Sequence, residues 1–359
     1  MSPTTNSPSI SIDALTQFCL AALTRVGVSQ TDAKTTASAL VTTDAMGVFT
    51  HGTKLLAGYL NKLKGGGYRA GATPRIEREG LGWALIDGES ALGQVGSDFA
   101  MRTAIEKARK VGVAYVGLRN TGHIGAAGYY AASAARQGFI AMVTGNDIPS
   151  VAAPGSKRAV LGSNPIAYGV PHGNGEPIVL DMATAAVAGG KIYAAIQRGE
   201  TIPSTWLIDQ EGQPTVDGSL YPDRASLAPM AGHKGYGFGL WCEILSAVLP
   251  GGKMTWQVGS WIFDDPSLPS EHNASFIAID IGAMVPREQF DQRLQHLIDE
   301  IHAAPTAAGI ERVLLPGERE WGLYRKAQQE GIKLPQDVRD KLVQAAAHAG
   351  IEPPAELSR

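Results

Sequence analysis

Apolar positions recur at helical spacing from the start of the chain. Leu15, Phe18, Cys19, Ala22, Leu23 and Val26 fall on one face of a helix predicted over residues 11–28. A second helix, capped by Ser29 or Thr31, turns Ala33, Ala37, Leu40 and Val41 inward. A third, capped by Thr50, carries Leu56, Tyr59, Leu60 and Leu63 and ends at Gly65-Gly66-Gly67. The polar stretch ahead of them, Met1–Ser11, has no basic or apolar signal region and is expected to be disordered. From about residue 75 the period changes. Arg75–Glu79 and Trp83–Asp87 read as strands around Gly82, Gly93–Lys110 as a helix, Val113–Leu118 as a strand, Tyr129–Arg136 as a helix and Phe139–Thr144 as a strand. The β-α-β-α-β run over 83–144 predicts an α/β layered unit.

Residues 150–235 are loop-rich, with a turn into a strand at Gly162–Tyr168 and strands at Pro177–Asp181 and Ser204–Asp209. Gly232–Gly237 opens an apolar helix over Phe238–Leu249, and Ser275–Ile281 reads as a strand. The end is helical again, with Phe290, Leu294, Leu297, Ile298 and Ile301 on one stripe and a further segment at Val338–Ala349. Chain ends commonly lie close in a compact domain. Residues 10–75 and 286–350 are therefore expected to pack together as a helical domain, with residues 76–285 inserted as an α/β domain.

Composition narrows the function. The 359 residues are 44% hydrophobic and 18% charged, a soluble globular balance with length for roughly two domains. Net charge is −3 with no lysine or arginine block, which argues against nucleic acid and against an anionic membrane surface as partners. No apolar run reaches the ~18 residues of a membrane span. Cys19 and Cys242 each lie in an apolar helical pattern and are expected as buried free thiols. The sequon at Asn273–Ser275 carries no meaning in a cytosolic protein. No zinc-type spacing, nucleophile elbow or internal repeat is present, so no metal is expected.

The chemistry centres on Val113–Gly128. An apolar run leads into glycines at 122, 125 and 128, then into alanine-rich helical sequence, with His123 where the backbone turns. The spacing G-x-x-G-x-x-G is not the G-x-G-x-x-G of a Rossmann fingerprint. An imidazole titrates near neutrality, so His123 suits proton transfer as well as it suits a loop histidine bonded to a backbone carbonyl. His51 and Lys54 sit in the first turn of the third predicted helix. The free N–H groups there would welcome a carboxylate, though a surface pair is the simpler reading. Lys234, in a glycine loop before a helix, suits an anionic ligand.

In this order, Thr50-His-Gly52, Asn120–Tyr129, Gly162–Ile166, Asp181–Thr184, Gly190-Lys191, Ile202-Pro203, Gly232–Gly237 and Pro316–Glu318 resemble the malate/L-lactate dehydrogenase family of the non-Rossmann type. The resemblance covers roughly residues 10–345. It implies an inserted mixed-sheet nucleotide-binding domain, NADH or NADPH bound without the usual fingerprint, and a cytoplasmic homodimer. It also implies hydride transfer at C2 of a 2-hydroxy or 2-oxo acid, or of a cyclic 2-imino acid. A non-catalytic nucleotide-binding relative is the other class that fits. By the same resemblance His123 is the acid/base, and His51 and Thr50 face the substrate. Asp147, Asn164, Asp181, Met182, Ala183, Lys234, Pro316, Gly317 and Glu318 contact the cofactor. One departure stands out: the family's S-H-G-V-x-R arginine, which clamps the substrate carboxylate, is Leu55 here, and Lys54 or Arg119 is the candidate replacement.

Overall fold

The computed structural model describes residues 9–173 and 175–357. Most of the stretch expected to be disordered, up to Pro8, lies outside the described residues. Its end is ordered. Ile10 is 1% exposed and exchanges backbone hydrogen bonds with Ile332, and the Ser11 hydroxyl accepts from Ala14 N–H to cap the first helix.

The opening helices are α1 (Ile12–Arg25), α2 (Gln30–Ala45, capped by Ser29) and α3 (Leu56–Gly65). They are followed by β1 (Arg75–Glu79), β2 (Trp83–Asp87), α4 (Gly93–Val111), β3 (Val113–Thr121), α5 (Ala127–Arg136) and β4 (Phe139–Gly145). Short strands come next: β5 (Val151–Ala152), β6 (Ala159–Leu161), β7 (Ile166–Val170) and β8 (Ile178–Met182). Then α6 (Gly189–Gln197), β9 (Leu207–Asp209), β10 (Pro214–Thr215) and β11 (Ala225–Leu227) lead to α7 (His233–Glu243), which runs on as a π-helical segment over Ile244–Val248. The chain closes with β12 (His272–Asp280), α8 (Arg287–His302), α9 (Glu318–Glu330) and α10 (Gln336–Ala349).

The large sheet has the order β1-β2-β3-β12-β4-β7-β8. Only β2 and β3 pair in parallel; β12 runs antiparallel to both β3 and β4 and separates them. The β-α-β-α-β run is thus opened by a strand from late in the chain, whose Ala274, Phe276 and Ala278 are fully buried. Helices α4 and α5 cover one face, burying Ala100, Ala104, Tyr130 and Ala134 against that strand and its neighbours. A second, five-stranded sheet has the order β10-β9-β11-β5-β6.

A separate core joins the two ends of the chain. Leu15, Leu23, Leu40, Leu56 and Leu60 from the first three helices pack with Leu334, Val338, Leu342 and Ala345 around α10. Helix α8 contributes none of its residues to this core.

Thr50 does not cap α3, as its sequence suggested. A short 3₁₀ turn, Thr53–Leu55, precedes the helix, and the Thr50 hydroxyl lies 2.9 Å from Nδ1 of His51. The anchor of this turn is instead Asp44, 1% exposed at the end of α2, which accepts from the Thr53 N–H and the Thr53 hydroxyl. A short polar residue caps a helix only if the backbone enters it there, and here the buried carboxylate captures the backbone first.

Burial pushes the Asp44 carboxyl from 3.8 up to about 7, against the two Thr53 donors that lower it. A carboxyl raised on folding stabilises the fold fully below its unfolded value, and that contribution is lost as pH rises through about 7. Asp44→Asn keeps the acceptor and removes the ionisation. Its unfolding free energy is therefore expected to fall less between pH 4 and 8, by about 4 kcal/mol, than that of the natural chain. Urea unfolding at both pH values measures this; parallel curves for the two proteins would refute a costly Asp44 charge.

Candidate active site

A cleft of about 1120 Å³ lies where the chain-end helices meet the large sheet. Its walls come from the end of α2 and the turn before α3, the loop after β3, the ends of β4 and β8, the start of α6 and the segment before α9. The volume exceeds the ~300–1,000 Å³ typical of a pocket for one small ligand.

His123 stands in the loop between β3 and α5, and its backbone is held from two sides. Its N–H donates to the Tyr68 hydroxyl at 3.0 Å. Its carbonyl lies against the first residue of α4, where a Cβ on Gly93 would fall 2.1 Å from the carbonyl oxygen, so only glycine fits. The ring stacks on Trp261 with centroids 5.0 Å apart, meets His272 edge-on at 5.7 Å and lies 5.9 Å from the His51 ring. Nδ1 is 2.8 Å from the Tyr59 hydroxyl. Nε2 has no hydrogen-bond partner among the described residues. Burial pulls the imidazole down to about 3, with His272 and His51 adding to the shift and Asp147 opposing it. His123 is therefore uncharged near neutral pH.

Two carboxylates balance these imidazoles. Asp147, just past β4, lies 3.1 Å from Nε2 of the buried His272, whose Nδ1 is 2.9 Å from the Ser270 hydroxyl. Burial alone would raise Asp147, but the hydrogen bond and positive potential of His272 hold it below its ordinary value. Asp181, at the end of β8, accepts from the Gly128 N–H in the first turn of α5 at 2.7 Å. Its side chain opens into the cleft while protein surrounds it. That desolvation raises it, against the Gly128 hydrogen bond and the His51 charge. His51 is lowered by burial, against the pull of Asp181 and Asp147.

The cleft brings together most of the residues singled out in the sequence. Thr50, His51, Lys54, His123, Asp147, Asp181, Met182, Ala183, Pro316 and Gly317 all line it. Four do not. Arg119 was expected as a carboxylate clamp; instead its guanidinium pairs with Glu77 on β1 at 2.6 Å and reaches the Gly251 carbonyl. Lys234 is exposed in the first turn of α7, outside the cleft. Glu318 accepts from the Leu315 N–H and pairs with Arg312 and His302, so it shapes the Pro316-Gly317 turn from behind. Asn164 is fully buried; it accepts from the Asp147 N–H and donates to Glu243, so it braces Asp147.

The sequence reading missed other residues that line the cleft or, like Tyr59, support His123 from behind it. Tyr59 was placed only as a core position of α3. Trp261 and His272 flank the start of β12, in a glycine- and proline-rich segment without periodicity. Gly190 and Lys191 at the uncapped start of α6 were noted only as a motif.

Comparison with known proteins shows the chain's family. The family model described as malate/L-lactate dehydrogenase matches residues 10–343. A malate dehydrogenase of Pyrococcus abyssi is 36% identical over 351 residues, covering 95% of this chain and 94% of that protein. A ureidoglycolate dehydrogenase (NAD(+)) of Escherichia coli is 34% identical over 339 residues, covering 94% and 96%. The solved structure of sulfolactate dehydrogenase from Methanocaldococcus jannaschii superimposes with a TM-score of 0.89 at 33% identity, covering 96% of this chain and 98% of that one. The chain belongs to the malate/L-lactate dehydrogenase family and is an enzyme of its dehydrogenase and reductase class.

Trp261 packs on Gly58 of α3 as well as on His123. A Cβ on Gly58 would lie 2.7 Å from the indole ring. Gly58→Ala is expected to push the indole off the imidazole, to cost about 1–3 kcal/mol through overpacking, and to speed modification of His123 by diethyl pyrocarbonate. Unchanged stability and an unchanged modification rate would mean that the indole does not shield His123.

Proposed function

We propose that this member of the malate/L-lactate dehydrogenase family transfers hydride between NADH or NADPH and C2 of a 2-hydroxy or 2-oxo acid, with His123 as the acid/base. The observation that carries this reading is an uncharged, desolvated imidazole pinned at Nδ1, its Nε2 left without a partner in a cleft larger than one small molecule needs.

The cleft suits a dinucleotide in its donor set. Ribose diols are donors and call for carboxylates, which Asp147 and Asp181 supply. A pyrophosphate calls for N–H groups and a cation. The start of α6 offers both, since no side chain caps it and Lys191 lines the cleft beside Gly189 and Gly190. Flat rings call for apolar walls, which Val179, Met182, Leu314 and Pro316 provide. When bound, the dinucleotide supplies or accepts the hydride at its nicotinamide ring.

The rest falls to the chain's own residues. In the oxidising direction Nε2 of His123 takes the proton of the substrate hydroxyl, and in the reducing direction it returns one to the new alkoxide. The imidazolium that forms faces Asp147, whose charge makes up for lost water, while Asp181 opposes the burial of the neighbouring His51. Such proton transfer is typically worth about 10²–10⁴-fold in rate.

Substrate orientation rests on Lys54. Leu55 lines the cleft and is 7% exposed, so it offers an apolar surface where a carboxylate would otherwise be clamped. Lys54 lines the cleft too and shares its ammonium with Asp337 of α10 at 2.6 Å. Two further features support a cytoplasmic homodimer. Both cysteines are buried free thiols. Large apolar side chains stand exposed on α7 and in the segment after it, Phe238 48%, Trp241 49%, Trp256 64% and Phe263 77%, and suit contact with a second copy of the chain.

Titration with NADH and NADPH, followed by a screen of 2-oxo acids and cyclic imines, tests the reading. Binding of one nucleotide is expected, with turnover that falls about 10²–10⁴-fold in His123→Gln while nucleotide affinity holds; no binding of either would overturn it. Lys54→Ala is expected to raise KM for the acid about tenfold or more, as loss of a charge-assisted hydrogen bond does; an unchanged KM would remove Lys54 from substrate binding. Light scattering is expected to give twice the chain mass.

A further inference from the structure

We propose that Tyr59 is a positioning residue for His123, and that rotation of its hydroxyl sets which imidazole nitrogen carries the proton. The inference rests on the reading of His123 as the acid/base. Tyr59 is fully buried on α3, and its oxygen has three polar neighbours: Nδ1 of His123 at 2.8 Å, the His123 carbonyl at 3.4 Å and Nε2 of Gln94 at 3.2 Å.

Gln94 removes one ambiguity. It is fully buried, and its Nε2 also lies 3.4 Å from the His123 carbonyl oxygen. A carbonyl oxygen accepts only from a donor, so the amide must present its NH₂ to both oxygens. Its Oε1 is left without a hydrogen-bond partner in the core, a cost that marks the orientation as imposed by the site. The phenol oxygen of Tyr59 thus accepts from Gln94 throughout. One hydroxyl proton and one lone pair remain for His123.

Two arrangements satisfy both the Tyr59 hydroxyl and Nδ1 of His123. In one, the hydroxyl donates to Nδ1, and the neutral imidazole carries its proton on Nε2, facing the cleft. In the other, the hydroxyl turns to the His123 carbonyl, Nδ1–H donates to the phenol oxygen, and Nε2 is an empty base. The 2.8 Å contact against 3.4 Å favours the first at rest. Proton abstraction needs the second. As the substrate O–H bond breaks and the Nε2–H bond forms, the imidazolium keeps Nδ1–H on the Tyr59 oxygen, and Tyr59 retains its own proton. Burial raises the phenol well above its ordinary value, in keeping with a hydroxyl that turns rather than ionises. The change of state couples rotation about one C–O bond to exchange of the ring proton: Nε2 gives its proton to solvent through the cleft and Nδ1 takes one up. The titratable groups facing the ring are Tyr59 from α3, His51 from the turn before it, Tyr68, His272 from β12 and Asp147 after β4.

Tyr59→Phe leaves the packing and removes the hydroxyl. It is expected to lower kcat about 10–100-fold, the range for losing a hydrogen bond to a charged group, with KM and nucleotide affinity held within about threefold. The acid limb of kcat in the oxidising direction is expected to move to lower pH, because the charged imidazole loses an acceptor. Nitrogen-15 NMR of histidine-labelled free enzyme, with His123→Gln assigning the signal, reads the proton directly. The natural chain is expected to show the proton on Nε2 and an Nδ1 resonance shielded by the hydroxyl; in Tyr59→Phe that resonance moves downfield. A proton on Nδ1 in the natural chain, or a variant with unchanged Nδ1 resonance, kcat and pH limb, would overturn the proposal. The spectrum of the natural chain decides the resting form even if the variant does not fold. Undiminished turnover in His123→Gln would instead defeat the acid/base reading, leaving the tautomer assignment standing.

Discussion

The cleft depends on the fixed backbone of one loop residue. His123 is gripped at its N–H by Tyr68, at its carbonyl by Gln94 and along its plane by Gly93. These grips come from two parts of the chain. Tyr68 follows α3, while Gly93 and Gln94 begin α4, so a single histidine registers the chain-end helices against the sheet. A polar side chain on a surface loop is usually mobile. Here the loop is trapped between two packed units, and its side chain inherits their rigidity. Precise placement matters because a misplacement of about 1 Å costs a proton-transfer group much of its effect.

Electrostatics then follow from what surrounds that ring. Burial against Trp261, Tyr59 and His272 would leave the charged imidazole short of water, and this keeps the resting form neutral. The same desolvation would make the imidazolium prohibitively costly if nothing offset it. Asp147, held ready by His272, would provide the offset, and Asp181, held by the Gly128 N–H, acts on the neighbouring His51. The site thus holds an imidazole that is neutral at rest and that would meet negative potential if it gained a proton.

Local signals made much of this legible. The periodicity of residues 15–26 put the buried face of α1 in the right place, and Leu15, Phe18, Cys19, Ala22 and Leu23 are all buried. His123 stood out because it sits where a strand runs through three spaced glycines into an alanine-rich helix, a pattern that by itself suits a plain loop histidine equally well. Non-local pairing was not legible. No feature of His272–Asp280 says that it divides β3 from β4, since its partners lie more than a hundred residues away. Thr50 looked like a cap because threonine before an apolar run usually is one, but Asp44 captured the backbone three residues later. Arg119 looked available because it precedes His123 by four residues. That spacing would bring two side chains together on a helix, but Arg119 lies on a strand that ends before the loop, and it turns to Glu77 of β1.

The loss of Arg119 to Glu77 sharpens what Leu55 means. A bidentate guanidinium fixes a carboxylate in both position and plane, whereas an ammonium fixes only a point. Lys54 stands one residue before Leu55 in a 3₁₀ turn that Asp44 holds rigidly, so its stem is well placed even though its tip is shared. That tip pairs with Asp337 in a partly open setting, with side chains 35% and 61% exposed. Such pairs contribute about 0–1 kcal/mol, so on the proposed reading a substrate carboxylate would displace Asp337 at little cost. The substrate's acid group would then be held by charge alone and its orientation set by shape, against Leu55 and Trp261. A site built this way discriminates by the bulk next to the reacting carbon more than by the geometry of the acid.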